Sequence, residues 1–300
     1  MLCELDAHFG GSFVATWSLL TVLGLGAQLF FSGLTFFEYY VKPTYEKWRW
    51  KTNAEFPSAE SVRDEIKLML KGLVAASLMP AASIYMSRTG RNQGFCGLSE
   101  QFGVGYHVAL FFGIWISVDL FEYAYHYGGH RFGAMWSVHK HHHHFPNPSP
   151  FAVIADEPPD QIVRASPLLV IPMLVPTNLD LIFAEFVLMF YLYGTYLHWG
   201  YESPRLSAHN PWINTAYHHY MHHALSIKNK PFYTGFFFKI WDRIFGTAYE
   251  GACRCVRCEQ AAGRRTRAQY AKVVKPDYCA LLRPAFWISG AGGAAKAAKN

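Results

Sequence analysis

Most of the 15 histidines in this 300-residue chain fall into four short stretches. His126 and His130 lie four residues apart in HYGGH. His139, His142 and His143 form H-x-x-H-H inside VHKHHHHFP, and His219, His222 and His223 repeat that pattern in HHYMHH. His198 ends an apolar run in YLHWGYE. On a helix, residues at i, i+3 and i+4 share a face, so each triplet is expected to aim three imidazoles at one point. Neutral imidazole is a ligand for iron, zinc and related metals. Two triplets and the i, i+4 pair offer eight ligands, enough for two metal ions that keep open positions for a small molecule. His198 is the expected further ligand, and His218 is an additional candidate. His141 is expected to point away, His144 to be spare, and His8, His107 and His209 to be structural. The run His141–His144 looks like an affinity tag, but the second triplet about 80 residues on speaks for ligands.

Other groups bear on the same chemistry. Glu122 precedes His126 by four residues and so shares its helix face, where it is expected to orient an imidazole; Asp119 is a weaker candidate for that role. Gly128 and Gly129 each cost a helix roughly 1 kcal/mol relative to Ala, so either the helix breaks there or the glycines make room. Neither triplet contains the glutamate of H-E-x-x-H, which argues against a metal-dependent hydrolase. Cys253, Cys255 and Cys258 form C-x-C-x-x-C, with Cys279 further on; these four thiols are a zinc donor set or free surface cysteines. The six cysteines do not form a secreted disulfide framework.

The chain that must position these groups is 51% hydrophobic and 16% charged, against about 25% charged in a soluble domain. Phe13–Phe37 carries no charge and is long enough to span a bilayer, so it reads as a retained helix and not a cleaved signal peptide. Leu68–Met86 and Val104–Tyr125 are the next candidates. Residues 162–199, with Pro167, Pro172 and Pro176 in the first arm and Asn178 capping the second, are expected to dip into the membrane and return. The predicted fold is an all-α integral membrane protein of about four transmembrane or re-entrant helices, with a cytosolic helical cap holding a histidine-rich dimetal site. The loop 38–67 holds six Lys/Arg and the loop 87–103 only two, which places the N-terminus in the lumen and the C-terminus and histidines in the cytosol. Residues 1–103 then form a transmembrane hairpin, 104–250 the catalytic domain, and 251–300 a basic, partly disordered tail. Fourteen Lys/Arg lie from Lys228 onward, which fits a face near anionic lipid better than a nucleic-acid partner.

H-x3-H, H-x2-H-H and H-x2-H-H in this order resemble the sterol desaturase/fatty acid hydroxylase superfamily. HKHHHHF at 139–145, NTAYHHYMHH at 214–223 and FKIWDRIFGT at 238–247 carry the resemblance, which covers residues 104–250 and is closest to the sterol C5-desaturase branch. HYGGH departs from the usual first box, where a basic residue often follows the first His. The resemblance implies a di-iron, O2-dependent oxygenase of the endoplasmic reticulum membrane that desaturates a sterol, with zinc replacing iron on heterologous expression. Its electrons would come from NAD(P)H through cytochrome b5 and a reductase, and Arg264, Arg265 and Arg267 are expected to dock that acidic donor. Sterol C4-methyl oxidase and fatty-acyl hydroxylase are alternatives within the superfamily; a non-catalytic membrane protein with structural zinc is an alternative outside it.

Overall fold

The structure, a computed structural model, describes residues 6–8, 10–97 and 101–288; the Ala/Gly-rich end expected to be disordered lies outside them. Helix α1 (Phe13–Phe36) starts at Ser12, whose hydroxyl accepts from Ala15 N, and a wide turn extends it to Val41. Ser58 caps α2 (Ala59–Ala76) in the same way, and α3 (Leu78–Arg88) continues its direction after a break at Ser77. Pro80 accounts for the break: it lacks an N–H, and its ring opposes the carbonyl four residues back. This second span starts nine residues before the expected Leu68. Helix α4 (Val104–Arg131) is followed by α5 (Gly133–His139), α6 (Pro158–Ala165), α7 (Pro167–Leu174) and α8 (Leu179–His198).

Phe13–Val41, Ala59–Arg88, Val104–Arg131 and Leu179–His198 are long and apolar enough to cross a membrane. The first and third are only 17% buried, whereas the second and fourth are 50% and 44% buried. The outer pair thus presents Val22, Phe30 and Leu34, and Val108, Phe112 and Ile116, to the surroundings, which suits lipid contact.

The 162–199 hairpin runs deeper than expected. Proline at the first position of α6 and of α7 lets two short helices follow one another along α2 and α3. At the tip, Thr177–Asn178 pairs in parallel with Gly94–Phe95, the loop that follows α3. The hairpin therefore reaches the far end of the bundle and does not turn at mid-depth. Asn178 caps α8 by accepting from Leu181 N at 3.2 Å, as its sequence position predicts.

At the opposite end, α4, α5 and α8 finish near α9 (Ala216–Leu225). Phe36, Tyr40, Trp48, Phe56, Tyr201 and Tyr278 form an aromatic core beside them. Lys51 is fully buried there, its Nζ 5.1, 5.4 and 5.3 Å from the ring centres of Tyr40, Phe56 and Tyr201. Much of the basic C-terminal segment packs onto this core: Tyr278 Oη donates to Pro57 O at 2.6 Å and Tyr270 Oη to Pro43 O at 2.8 Å. Arg265, expected to dock an electron donor, is instead buried, paired with Glu259 at 2.8 Å and donating to Thr52 O. Its guanidinium secures the segment from within and is closed to a partner. Arg267 is exposed but is paired with Glu46 at 2.6 Å.

Candidate metal centre

The structure brings nine sequence-predicted histidines into two adjoining groups. His126, His130, His139, His143 and His222 place ligand nitrogens within 4.8 Å of one another; His142, His198, His219 and His223 do the same. Eight of the nine are buried, and His143 is half-buried.

Each H-x-x-H-H triplet is divided between the groups, contrary to the expectation of one point per triplet. Successive residues on an α-helix are about 100° apart, so His222 and His223 on α9 look in different directions. Their ring centres are 6.0 Å apart and the rings nearly perpendicular, at 86°. His142 and His143 diverge likewise, at 87°, in a tight 3-10 turn. The first triplet is therefore not on one helix: His139 ends α5, and the turn 142–144 follows it. The glycines of HYGGH stay helical and make room. A Cβ on Gly129 would lie 3.0 Å from His139 Cδ2, and one on Gly128 3.1 Å from Met135 Cε.

The ring orientations are set from behind. Nδ1 of His126 donates to Thr234 O at 3.0 Å, that of His130 to Ile227 O at 3.2 Å, and that of His222 to Phe232 O at 2.7 Å. Nδ1 of His198 donates to Gly194 O at 2.8 Å and that of His142 to Ala155 O at 3.3 Å, with Asp156 Oδ1 at 3.1 Å. His139 Nδ1 lies 3.4 Å from Asp160 Oδ2. A carbonyl only accepts, so a neutral ring bonded to one carries its proton on Nδ1 and its lone pair on Nε2.

The lone-pair Nε2 atoms of His130 and His222 face each other, and the Nε2 atoms of His143, His198, His219 and His223 lie as close. His222 Nε2 is 3.3 Å from His130 Nε2 and 3.1 Å from His143 Nε2; His219 Nε2 is 2.8 Å from His198 Nε2 and 3.2 Å from His223 Nε2. Nε2 of His126 and of His139 is buried with no hydrogen-bond partner. Lone pairs held this way repel unless a cation lies between them. Metal–nitrogen bonds of about 2.0–2.1 Å give nitrogen–nitrogen edges of about 2.9–3.4 Å, the spacing found here. Burial, and then the neighbouring imidazoles, hold His142, His143, His219 and His223 well below the ordinary histidine pKa; burial and His130 do the same for His222. These rings stay in the neutral, ligating form. The residues present fit a pair of metal ions.

Three expected residues stand elsewhere. His218 does not join either group: its Nδ1 accepts from Thr215 N at 3.1 Å, occupying the helix position where a capping box usually has Glu or Gln. Glu122 is ion-paired with Arg164 of α6 at 2.9 Å, and no hydrogen bond ties it to an imidazole among the described residues. Asp119 accepts from the backbone N–H of Phe237 and Phe238 and from Trp241 Nε1, and so shapes the 234–238 loop. Asp242 completes that loop by accepting from Thr234 N at 2.8 Å. The W-D-R-I stretch thus fixes the carbonyl that holds His126. Sequence reasoning missed Asp156, Asp160 and the carbonyls of Ile227, Phe232 and Thr234. No spacing rule links them to the histidines they hold.

A family model described as Fatty acid hydroxylase matches residues 111–247, the segment that contains all nine histidines of the two groups. The chain is 27% identical to Lathosterol oxidase of Homo sapiens over 188 residues, which spans 62% of this chain and 60% of that protein. It is 27% identical to Lathosterol oxidase of Rattus norvegicus and 28% identical to that of Mus musculus, each over 270 residues, 82% of this chain and 84% of the relative. No solved structure matches it significantly. Residues 111–247, with the histidine motifs they contain, are therefore similar to the fatty acid hydroxylase family.

Proposed function

We propose that this protein oxidises a sterol within the endoplasmic reticulum membrane, forming a C5 double bond with O2 as oxidant. The observation that carries the reading is the convergence of nine imidazoles, in two groups, where the spanning helices end. Two iron ions held by these residues would supply O2 reduction and hydrogen abstraction from an unactivated C–H bond, which side chains alone do not perform. In the overall balance the substrate loses two hydrogens as one C=C bond forms. Those hydrogens, with two electrons and two protons from the donor, reduce O2 to two waters. The electrons come from NAD(P)H by way of a reductase and cytochrome b5. The name of the three relatives supports a sterol as substrate.

The chain's own part is to bind and orient. Nδ1 contacts fix the rings, and burial keeps them neutral and away from bulk water. Asp156 and Asp160 sit behind His142 and His139, not across the centre where a hydrolase would need its general base. Glu122, Arg164, Val153, Phe186, Phe190 and Phe236 are among the residues lining a cavity of about 40 Å³ between α6 and α8. That space suits a water, so a sterol entering from the bilayer has to displace these side chains. The histidine end faces the cytosol. Supporting this are the basic loop 38–67 and the state of the cysteines: Cys96, at the other end, is disulfide-bonded, whereas Cys253, Cys255, Cys258 and Cys279 are free.

The test is expression in yeast lacking its own sterol C5-desaturase, with sterols read by mass spectrometry. A 5,7-diene that disappears in the His219→Ala, His222→Ala double variant is the expected result. No diene from folded, iron-loaded protein would overturn C5 desaturation and move the search to other sterol positions and fatty-acyl lipids.

A further inference from the structure

Outside the histidine centre, His209 Nε2 lies 3.3 Å from Cys255 Sγ, 3.3 Å from Cys258 Sγ and 3.6 Å from Cys253 Sγ. All four ligand atoms fall within 4.8 Å of one another. A single ring nitrogen has one proton or one lone pair, so hydrogen bonding to it accounts for one close sulfur and not for three. A tetrahedral zinc ion explains all three. With zinc–sulfur bonds of about 2.3 Å and zinc–nitrogen bonds of about 2.0–2.1 Å, each sulfur–nitrogen edge is about 3.6 Å. Cys279, the fourth thiol expected from sequence, is not in the cluster; it lies in the turn Tyr278–Leu282, and His209 takes its place.

We propose that His209, Cys253, Cys255 and Cys258 form a structural Zn2+ site that fastens the C-terminal segment to the loop between α8 and α9. Both arms are held in place by contacts that need no metal. Lys239 Nζ donates to Ala208 O at 2.9 Å and to Asn210 O at 2.6 Å, which fixes the backbone on either side of His209. On the other arm, Arg254 N donates to Tyr217 Oη at 2.9 Å and Val256 N to Glu202 Oε1 at 2.7 Å, flanking the fully buried Cys255. Three thiolates and one imidazole fill four positions and leave none open, so the ion is a fastener and not a reaction centre. The loop it secures joins His198 to His219. This site does not depend on the sterol reading, because its donors and its test are separate from the histidine centre.

The experiment is zinc-edge X-ray absorption on the full chain purified in detergent, paired with thiol titration. Sulfur scatterers at about 2.3 Å are expected, and Cys253, Cys255 and Cys258 should react only after zinc is withdrawn, whereas Cys279 reacts before. Zinc bound by nitrogen and oxygen alone, or four thiols reacting at one rate in zinc-replete protein, would overturn the proposal. Cys258→His is expected to keep the zinc with two sulfurs in place of three, and Cys258→Ser to lose it. Equal zinc content and an unchanged sulfur signal in both variants would also overturn it.

Discussion

Nine imidazoles gather where the spanning helices end, and three thiols with one imidazole gather where two loops meet at the surface. The first set is neutral, is almost entirely buried, and offers more nitrogens than two closed four-coordinate shells need. The second is anionic when ligating, is partly exposed, and has as many donors as tetrahedral zinc requires. The first is also braced from behind by carbonyls and carboxylates, whereas the second is braced through the backbone on both flanks. On the readings proposed above, reactivity and fastening use different donors, and the two donor sets lie in separate places.

The strongest way to break that contrast is at its centre. His222 touches both His130 and His143, so His222→Ala is expected to remove sterol oxidation to background and release iron, while zinc and membrane insertion persist. Full iron content and activity in that variant would undo the assignment of the larger group. Next is selective metal removal. An iron chelator should abolish oxidation and leave the zinc-edge sulfur signal intact, whereas a thiol-directed mercurial should do the reverse at first; loss of both metals together would merge the two sites. Asp160→Asn keeps the shape behind His139 but weakens the bracing, and a loss of about tenfold to a hundredfold in iron affinity or rate is expected. An unchanged affinity would make Asp160 a bystander.

The smallest effect concerns a cation that belongs to neither set. Burial, and then the charge of Arg265, lowers Lys51 to about 7. Above that value the folded chain has shed a proton that the unfolded chain keeps up to the ordinary lysine range. Stability therefore rises with pH across that window. A change in Tm from about pH 7 to about pH 9 that is more positive in the parent than in Lys51→Met is expected, since the buried carboxyl of Glu65 contributes to the slope in both. The same slope in both proteins would show that Lys51 contributes nothing.

Eight of the nine converging histidines were legible from their recurrence in H-x3-H and H-x-x-H-H, and His198 from its place at the end of an apolar run. Their division between two groups was not. It depends on the angle between His222 and His223, which only the placement of α9 against α4 and α8 turns into two destinations. His218 misled for a related reason: beside two ligands it looks like a third, but its position in the helix makes it a cap. The spans were legible from hydropathy. The depth of the 162–199 hairpin was not, since it rests on the pairing of Thr177 with Gly94 across the bundle. His209 read as merely structural because its partners come more than 40 residues later.

The loop 226–235 supplies the carbonyls of Ile227, Phe232 and Thr234 to His130, His222 and His126, all in the larger group. In the smaller group, His198 is held by its own helix and His142 by the short turn before α6. Assembly is thus expected to be ordered. Docked helices and the short turns before α6 already present the four-histidine half, whereas the five-histidine half is complete only once the loop has closed over it. Loading followed in time would show one ion arriving ahead of the other, and simultaneous arrival would rule that sequence out.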